Sequence, residues 1–271
     1  MLIMGLGGSD HDFSTCIIHD GIVDIMIEDE RITRKKYGVN LGINLGQGYS
    51  RKYCLKHENY DIEKIDMFVT TDITSPLMYA RIGKDVIKIN HHLAHAASSF
   101  YPSDYESAAI LVLDAVGSKI QKEGITYYES TTYAYGENNY INVLDKQYGI
   151  AVDKKDIIEN SLGIFYSIST SIIGFNEREE GKTMGLAPYG TDFYYNELKK
   201  MINIAFDGKI QISKNSYENM MSFKEHIEGC CSDEMKFQRK ADFAYATQRI
   251  LEEVMLHMAE YLKNLTKSKN L

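Results

Sequence analysis

The sequence predicts an α/β protein with two related subdomains, at residues 1–106 and 107–271. Apolar runs of strand length alternate with helical segments along the chain, as they do in α/β folds. An apolar strand ending in a glycine turn, followed by a pair of strand-like runs, occurs near residue 1 and again near residue 107. This weak internal repeat indicates two subdomains of similar fold.

The first half predicts five strands and two helices. "LIMGLGG" is a buried strand that runs into a turn, and "STCIIHDG" and "GIVDIMIEDER" form a hairpin through Asp20-Gly21. A helix is predicted at residues 48–57, and "DMFVTT" and "VIKIN" are strand-like. A second helix is expected to begin after Asn90, whose side chain is a good N-terminal cap.

The second half predicts the strand "SAAILVLDAVGS", the β runs "GITYYESTTYAYG" and "YINVLDKQYG", and a helix "SLGIFYSISTSIIGF" capped by Ser161. Residues 191–238 are polar and predict an irregular insertion with one helix at 196–206. The last helix has an apolar stripe at three- and four-residue steps. The stripe is formed by Phe243, Ala246, Ile250, Val254, Met258 and Leu262, widened by Leu251 and Met255.

Composition excludes several classes of protein. The chain has 271 residues, of which 44% are hydrophobic and 25% are charged, as in globular proteins. Its net charge of -8 argues against a nucleic-acid partner. There is neither a signal peptide nor a membrane-length apolar run, and the four cysteines do not form a disulfide framework. A cytoplasmic location without a membrane partner is therefore expected.

Three histidines fall within five positions of "INHHLAHAASSFYPS". On a helix capped by Asn90, His91 and His95 share one face and can bind one cation, whereas His92 points about 100° away. The strand end in "ILVLDAVGS" offers Asp114 as a third ligand. Two imidazoles and a carboxylate suit a catalytic Fe, Mn or Zn ion. The alternative is a helix start with incidental histidines.

Two glycine turns are candidate phosphate-binding elements. In "GLGGSDHDFS", Gly7 and Gly8 permit close backbone approach, and His11, Asp12 and Ser14 add a base, a carboxylate and a hydroxyl. The "DAVGS" turn, with Gly117, resembles it. The alternative for the first turn is a plain polar hairpin.

A third candidate is "REEGKTMGLAPYG", where Gly181, Lys182 and Gly185 predict a loop that could bind an anion. The alternative is a plain loop, and the segment does not match a P-loop. The charged run "EDERITRKKYG" predicts either a solvated face or a basic lip for an anionic substrate.

Several segments together resemble one family, the NodU-type O-carbamoyltransferases, which include tobramycin carbamoyltransferase. The matching pieces occur in family order over most of residues 1–190. They are "GGSDHDFS", "DGIVDIMIEDERITRKKYG", "NHHLAHAASSFYPS", "AAILVLDAVGS", "SLGIFYSIST" and "EGKTMGLAPYG". The resemblance implies an actin/sugar-kinase-like fold of two ribonuclease-H-like subdomains, the second of which is incomplete here.

The resemblance also implies an activity. Family members move a carbamoyl group from carbamoyl phosphate, with ATP as co-substrate, to a hydroxyl of a sugar-like acceptor through a carbamoyl-adenylate. By motif position the metal ligands fall on His91, His95 and Asp114, and the candidate base on His11. The glycine turns and Lys182 would then cradle the phosphate of the adenylate.

The chain departs from the family at its end. The GGVALN-type segment that follows the last helix in the family does not appear, nor do the last strands and the YrdC-like domain that makes the adenylate. We therefore expect a transfer half that is inactive alone and that binds a C-terminal partner chain or itself. The alternative is an inactive truncated module that binds nucleotide or a partner. A sugar kinase of the same fold is disfavoured by the histidine spacing and by "EGKTMGLAPYG".

Overall fold

The computed structural model describes residues 1–9, 11–38, 42–151 and 157–271. Asp10, in the first glycine turn, lies outside the described residues. Residue contacts divide the chain into two compact units, 1–94 and 95–271. The division falls inside one helix, and each unit is described by itself below.

The first unit contains a five-stranded sheet in the order β3-β2-β1-β4-β5. β2 is antiparallel to β1 and β3, whereas β1, β4 and β5 are parallel. This order, with one antiparallel strand, confirms the ribonuclease-H-like prediction. The strands are β1 (Leu2–Gly7), β2 (Ser14–His19), β3 (Ile22–Glu28), β4 (Met67–Thr71) and β5 (Val86–Ile89).

Besides short 3₁₀ turns, the described part of the first unit contains the α-helices α1 (Asp29–Thr33) and α2 (Tyr49–His57) and the start of α3 (His91–Phe100). Its core comprises alternate residues of the strands, such as Met4, Ile17 and Phe68, which are at most 2% exposed. The β2–β3 hairpin turns at Asp20 and Gly21, whose φ angles of 49° and 89° are those of a two-residue hairpin turn. That part of the prediction is confirmed.

The second unit repeats the first three strands. β6 (Ser107–Leu113), β8 (Ile125–Glu137) and β9 (Tyr140–Ile150) form an antiparallel run with the same neighbours as β1, β2 and β3. A short β7 (Lys119–Lys122) pairs with the start of β8. Together with the first sheet, this repeat confirms the α/β, actin/sugar-kinase-like class that was predicted.

Helices cover one face of this second sheet. They are α4 (Leu162–Ile173), α5 (Glu180–Leu186), α6 (Tyr195–Lys199), α7 (Lys214–Glu228) and α8 (Asp233–Thr266), and a small hairpin of β10 (Asn203–Ile204) and β11 (Ile210–Gln211) lies between α6 and α7. Ser161 caps α4 by accepting from the Ile164 N–H at 3.1 Å, as predicted. The predicted stripe of α8, from Phe243 to Leu262, is 0% exposed.

Three predictions for residues 191–271 are wrong. Residues 191–238 are not irregular, because α7 packs Tyr217, Met220, Phe223 and Ile227 into the core. The helix predicted at 196–206 ends at Lys199, since the chain then turns through the hairpin, where Gly208 has a φ of 77°. Met255 does not widen the buried stripe of α8, because its side chain is 41% exposed.

The last residues of the chain contact the other edge of β6. Ala109 N–H donates to the Asn270 carbonyl at 2.9 Å, and the Asn270 side-chain amide donates to the Ser107 carbonyl at 3.0 Å. One bond is made by the Asn270 backbone and the other by its side chain, so this residue covers the edge of β6 on both sides of Ala108. Among the described residues, no helix has the length and apolar character needed to cross a bilayer.

Candidate metal centre and neighbouring cavity

Helix α3 presents His91 and His95 on one side. The Asn90 side chain accepts from the Leu93 N–H at 3.0 Å and so fixes the start of the helix one residue before His91. His92 lies one hundred degrees around the helix, in line with Ala96 and Phe100, and all three are at most 4% exposed. His92 therefore belongs to the buried stripe of α3 and does not lie on the side of the helix that carries His91 and His95, as the spacing predicts.

Strand alternation directs Asp114 toward the same helix. Ala108, Ile110 and Val112 of β6 form one apolar cluster with Ala96 and Phe100 of α3. Because side chains alternate along a strand, position 114 continues on this face. The Ala115 N–H donates to Oδ1 of Asp114 at 2.7 Å, and Oδ2 lies 3.8 Å from His95 Nε2.

His91, His95 and Asp114 each offer one ligand atom, and these atoms all lie within 4.8 Å of one another. A ligand atom lies roughly 2.1 Å from a transition-metal ion, so two ligand atoms on opposite sides of the ion are about 4 Å apart. Small side-chain rotations would therefore let the three residues bind one ion. The structure thus brings together the three predicted ligands, and the donor set of two imidazoles and one carboxylate fits a Zn, Fe or Mn ion.

The loop that carries Asp114 is fixed by the start of α4. Ser161 Oγ lies 3.2 Å from the Asp114 carbonyl and 2.8 Å from the Ala115 carbonyl. A Cβ at Gly163 would lie 2.7 Å from the Ala115 backbone, so only glycine permits this approach. The Gly117 N–H donates to the Glu129 carbonyl at 2.8 Å. That donor already has a partner within the sheet, which weakens the prediction that Gly117 binds phosphate.

A cavity of about 460 Å³ adjoins Asp114 within the second unit. Its polar side is formed by Asp114, Tyr166, Ser167, Glu180 and Gln248, and none of the described residues that line it is a lysine or an arginine. The rest of the wall is Leu113, Ala115, Leu162, Gly163, Gly181, Met184, Leu251 and Met255.

Two hydrogen bonds organise the polar side of this cavity. Ser167 Oγ donates to Glu180 Oε1 at 2.7 Å, and the Tyr166 hydroxyl donates to Gln248 Oε1 at 2.8 Å. Burial, with Glu180 and Glu252 nearby, raises the pKa of Tyr166 to about 12, so the phenol keeps its proton. Sequence reasoning missed these residues, although the polar positions 166 and 167 interrupt the apolar run of α4.

The segment containing Gly181, Lys182 and Gly185 is helical, so the predicted glycine loop is wrong. α5 is held by the Ser167–Glu180 bond and by Thr183, which is 0% exposed and 2.8 Å from the Thr170 hydroxyl. Lys182 pairs with Glu179 at 2.6 Å and does not line the cavity. Of the three predicted anion-binding residues, only Gly181 lines the cavity.

The first glycine turn belongs to the first unit. A Cβ at Gly7 would lie 2.6 Å from Ser14 Oγ, and one at Gly8, with φ of 113°, would lie 2.8 Å from the Phe13 ring. Gly8 is thus required by the tight return of the chain, because backbone atoms also lie within 3.0 Å of its added Cβ, whereas a rotation of the Ser14 hydroxyl could relieve the contact at Gly7. The turn presents a histidine–carboxylate pair, with His11 Nδ1 at 2.6 Å from Asp12 Oδ2.

Sequence relatives share most of this chain. Protein sll1178 of Synechocystis is 24% identical over 94% of this chain and 47% of its own length. Nodulation protein NolNO of Sinorhizobium fredii is 24% identical over 96% of this chain and 40% of its own length. The chain thus spans less than half the length of these two relatives.

Solved structures give weaker likenesses. HypF of T. kodakarensis superposes with a TM-score of 0.44 at 14% identity, over 99% of this chain and 40% of its own. YeaZ of Pseudomonas aeruginosa has a TM-score of 0.35 at 9% identity, over 58% of this chain and 74% of its own. At these scores, no conclusion about the site follows. The family model described as Carbamoyltransferase N-terminus matches residues 77–271, and with the nodulation relatives this shows that the chain belongs to the NodU-type carbamoyltransferase family.

Proposed function

We propose that this chain is the N-terminal, transfer half of an O-carbamoyltransferase. It would move the carbamoyl group of a carbamoyl-adenylate, made from carbamoyl phosphate and ATP, to a hydroxyl of a sugar-like acceptor. The observation that carries the proposal is the convergence of His91, His95 and Asp114 in a chain of this family. A metal ion held there would polarise a carbonyl or neutralise a phosphate.

His11 is the proposed general base. In the transfer step the acceptor oxygen bonds to the carbamoyl carbon, the bond from that carbon to the phosphate oxygen breaks, and AMP leaves. The acceptor hydroxyl must lose its proton as it attacks. The Asp12 carboxylate at Nδ1 of His11 favours the tautomer with its proton on Nδ1, which leaves Nε2 to accept that proton.

The cavity beside Asp114 is the proposed site for the nucleoside part of the adenylate. The described residues that line it include two carboxylates, Asp114 and Glu180, and this negative charge disfavours phosphate there. Its apolar wall suits a planar base, and Glu180 can accept hydrogen bonds from ribose hydroxyls. This assignment replaces a phosphate cradle at Lys182 and Gly185, whereas the proposed role of Gly7, Gly8, Asp12 and Ser14 in binding the adenylate phosphate is unchanged.

Metal binding is the first test. We expect the purified chain to bind Zn²⁺ or Mn²⁺ in calorimetric titrations, and His91→Ala, His95→Ala and Asp114→Asn to weaken binding. The loss should exceed about tenfold, the smallest effect reported for removal of even an outer partner of a metal ligand. His57→Ala is the control, because His57 is exposed and its contacts are with Glu58, at 2.7 Å, and with the ring of Tyr53, none of them a proposed ligand. Equal binding by all variants contradicts the site.

Transfer is the second test. The chain would be incubated with carbamoyl phosphate, ATP, metal and a panel of sugars, with and without a YrdC-like domain supplied separately. Mass spectrometry should detect an O-carbamoylated sugar only when the adenylate-forming domain is present, and His11→Ala should abolish it. If the chain binds metal and AMP but transfers nothing from a supplied carbamoyl-adenylate, the inactive-module alternative replaces this proposal.

A further inference from the structure

The turn that carries His11 is anchored through its backbone at three points. Ser75 N–H donates to the Ser9 carbonyl at 3.1 Å, and Asp29 N–H donates to the Phe13 carbonyl at 2.7 Å. Between them, Asp12 N–H donates to the Tyr37 carbonyl at 2.7 Å. Two of the three anchors come from residues 28–38, the charged segment that follows β2 and β3.

The anchor at Asp12 joins two residues in unfavourable backbone conformations. Asp12 has a φ of 53° and Tyr37 a φ of 59°. Such left-handed conformations are unfavourable for most residues other than glycine, and persist only when neighbouring contacts fix them. The orientation of Asp12 therefore depends on what holds Tyr37.

Glu30 holds Tyr37. Its Oε2 accepts from the Tyr37 N–H at 2.7 Å, and its side chain is only 20% exposed. Arg31 lies 3.5 Å from the other carboxylate oxygen. A charge-assisted bond to a backbone N–H is roughly twice as strong as a neutral one, so Glu30 can stabilise the strained end of the segment.

The beginning of the charged segment, at Asp29, is also held in place. Asp29 is 0% exposed, and its Oδ1 accepts from the Ser50 N–H at 2.8 Å in the first turn of α2. The Ser50 and Thr15 hydroxyls, both fully buried, are 2.9 Å apart. Glu30 therefore extends from a rigid support toward the turn.

We infer that Glu30 is a positioning residue for His11. A continuous path of hydrogen bonds links them: Glu30 to Tyr37 N–H, Tyr37 carbonyl to Asp12 N–H, and Asp12 carboxylate to His11 Nδ1. The inference rests on the proposed function, in which His11 is the base. The charged segment then acts through an acid that orders the turn, and not as the basic lip that its lysines and arginines suggested.

The test uses NMR on the full chain, with no need for activity. In Glu30→Ala, we expect the Asp12 amide to exchange with solvent about tenfold faster, as loss of one supporting hydrogen bond implies. The ¹⁵N shifts of the His11 ring should also move toward the tautomer with its proton on Nε2, a readout that general destabilisation would not change.

Matched variants distinguish loss of the Glu30–Tyr37 hydrogen bond from a change in local charge. Glu28→Ala is the control, because Glu28 contacts Arg31 at 3.3 Å but accepts nothing from Tyr37. Glu30→Gln keeps an acceptor oxygen and should restore most of the protection and the wild-type tautomer. Should Glu30→Ala not fold, Glu30→Asp, whose shorter side chain would lengthen and weaken the bond to the Tyr37 N–H, is expected to show the same two changes to a smaller degree.

Unchanged exchange at Asp12 and unchanged His11 ring shifts in a folded Glu30 variant overturn the inference. Equal changes in Glu28→Ala do so as well, since the effect would then be one of local charge. The proposed function fails by a different result, the absence of carbamoyl transfer from a supplied carbamoyl-adenylate, and the base role of His11 fails if transfer survives His11→Ala. Neither result changes the link from Glu30 to the turn.

Discussion

Replacing Gly163 with alanine should disturb both the stability of the second unit and the proposed metal centre. The added Cβ would lie 2.7 Å from the Cα and N of Ala115 and 3.0 Å from the carbonyl carbon of Asp114. These are backbone atoms, so no side-chain rotation relieves the overlap. The loop that carries Asp114 must move away from α4.

The size of the effect follows from two opposing terms. Overpacking costs typically 1–3 kcal/mol, and the upper end of about 3 applies because backbone must shift. Replacing glycine within a helix returns roughly 0.5–1 kcal/mol. We therefore expect a net loss of about 2 kcal/mol in the free energy of unfolding, measured by urea denaturation followed by circular dichroism.

The same variant should bind Zn²⁺ or Mn²⁺ more weakly, because Ala115 N–H orients the Asp114 carboxylate at 2.7 Å. Gly185→Ala is the control, since an added Cβ there meets no atom within 4 Å and should stabilise α5 slightly. A Gly163→Ala protein with wild-type urea midpoint and wild-type metal affinity would refute the claim that this contact sets the position of Asp114.

Three further outcomes are expected. Ser161→Ala should lower the free energy of unfolding by about 1–2 kcal/mol, the usual cost of losing an N-cap, in urea denaturation; a loss below about 0.3 kcal/mol would contradict this role. Ile250→Ala, at a fully buried position, should cost about 2–5 kcal/mol, whereas Leu256→Ala, at 71% exposure, should change stability by less than about 0.5; equal effects would count against the predicted stripe. Although burial alone would raise the pKa of Glu253, hydrogen bonds led by that from Lys199 lower it. The ionised Glu253 carboxylate therefore stabilises the folded protein fully above its unfolded pKa of about 4.3, and this stabilisation is lost as the pH falls through its lower folded pKa. Lys199→Ala should make the urea midpoint of unfolding less dependent on pH in this acid range. A pH dependence equal to that of the wild type would contradict this prediction.

The convergence of His91, His95 and Asp114 could be predicted because each position depends on local periodicity. His91 and His95 follow from helical spacing after the Asn90 cap, and Asp114 follows from its place directly after a buried strand. No such rule places His11 relative to them, because that depends on contacts remote in the sequence. Its catalytic role therefore stays a prediction.

The elements that were mispredicted have identifiable physical causes. Two glycines in seven residues argue against a helix, yet α5 forms because tertiary contacts at Glu180 and Thr183 outweigh propensity. α7 was missed because its mostly polar sequence hides four core residues at helical steps. Tyr166 and Gln248 are separated by 82 residues in the sequence, so no local sequence pattern predicts their hydrogen bond.

The contact between Asn270 and β6 matters to anyone who attaches a reporter to this protein. A tag joined directly after Leu271 would be guided along the sheet margin by the two hydrogen bonds of Asn270. Strain in that attachment would reach β6, and therefore the carboxylate at its end. The exposed hairpin at Glu123 and Gly124 is a safer place for a fluorophore, because it precedes the start of β8, whereas Asn270 contacts the part of β6 that pairs with the end of β8.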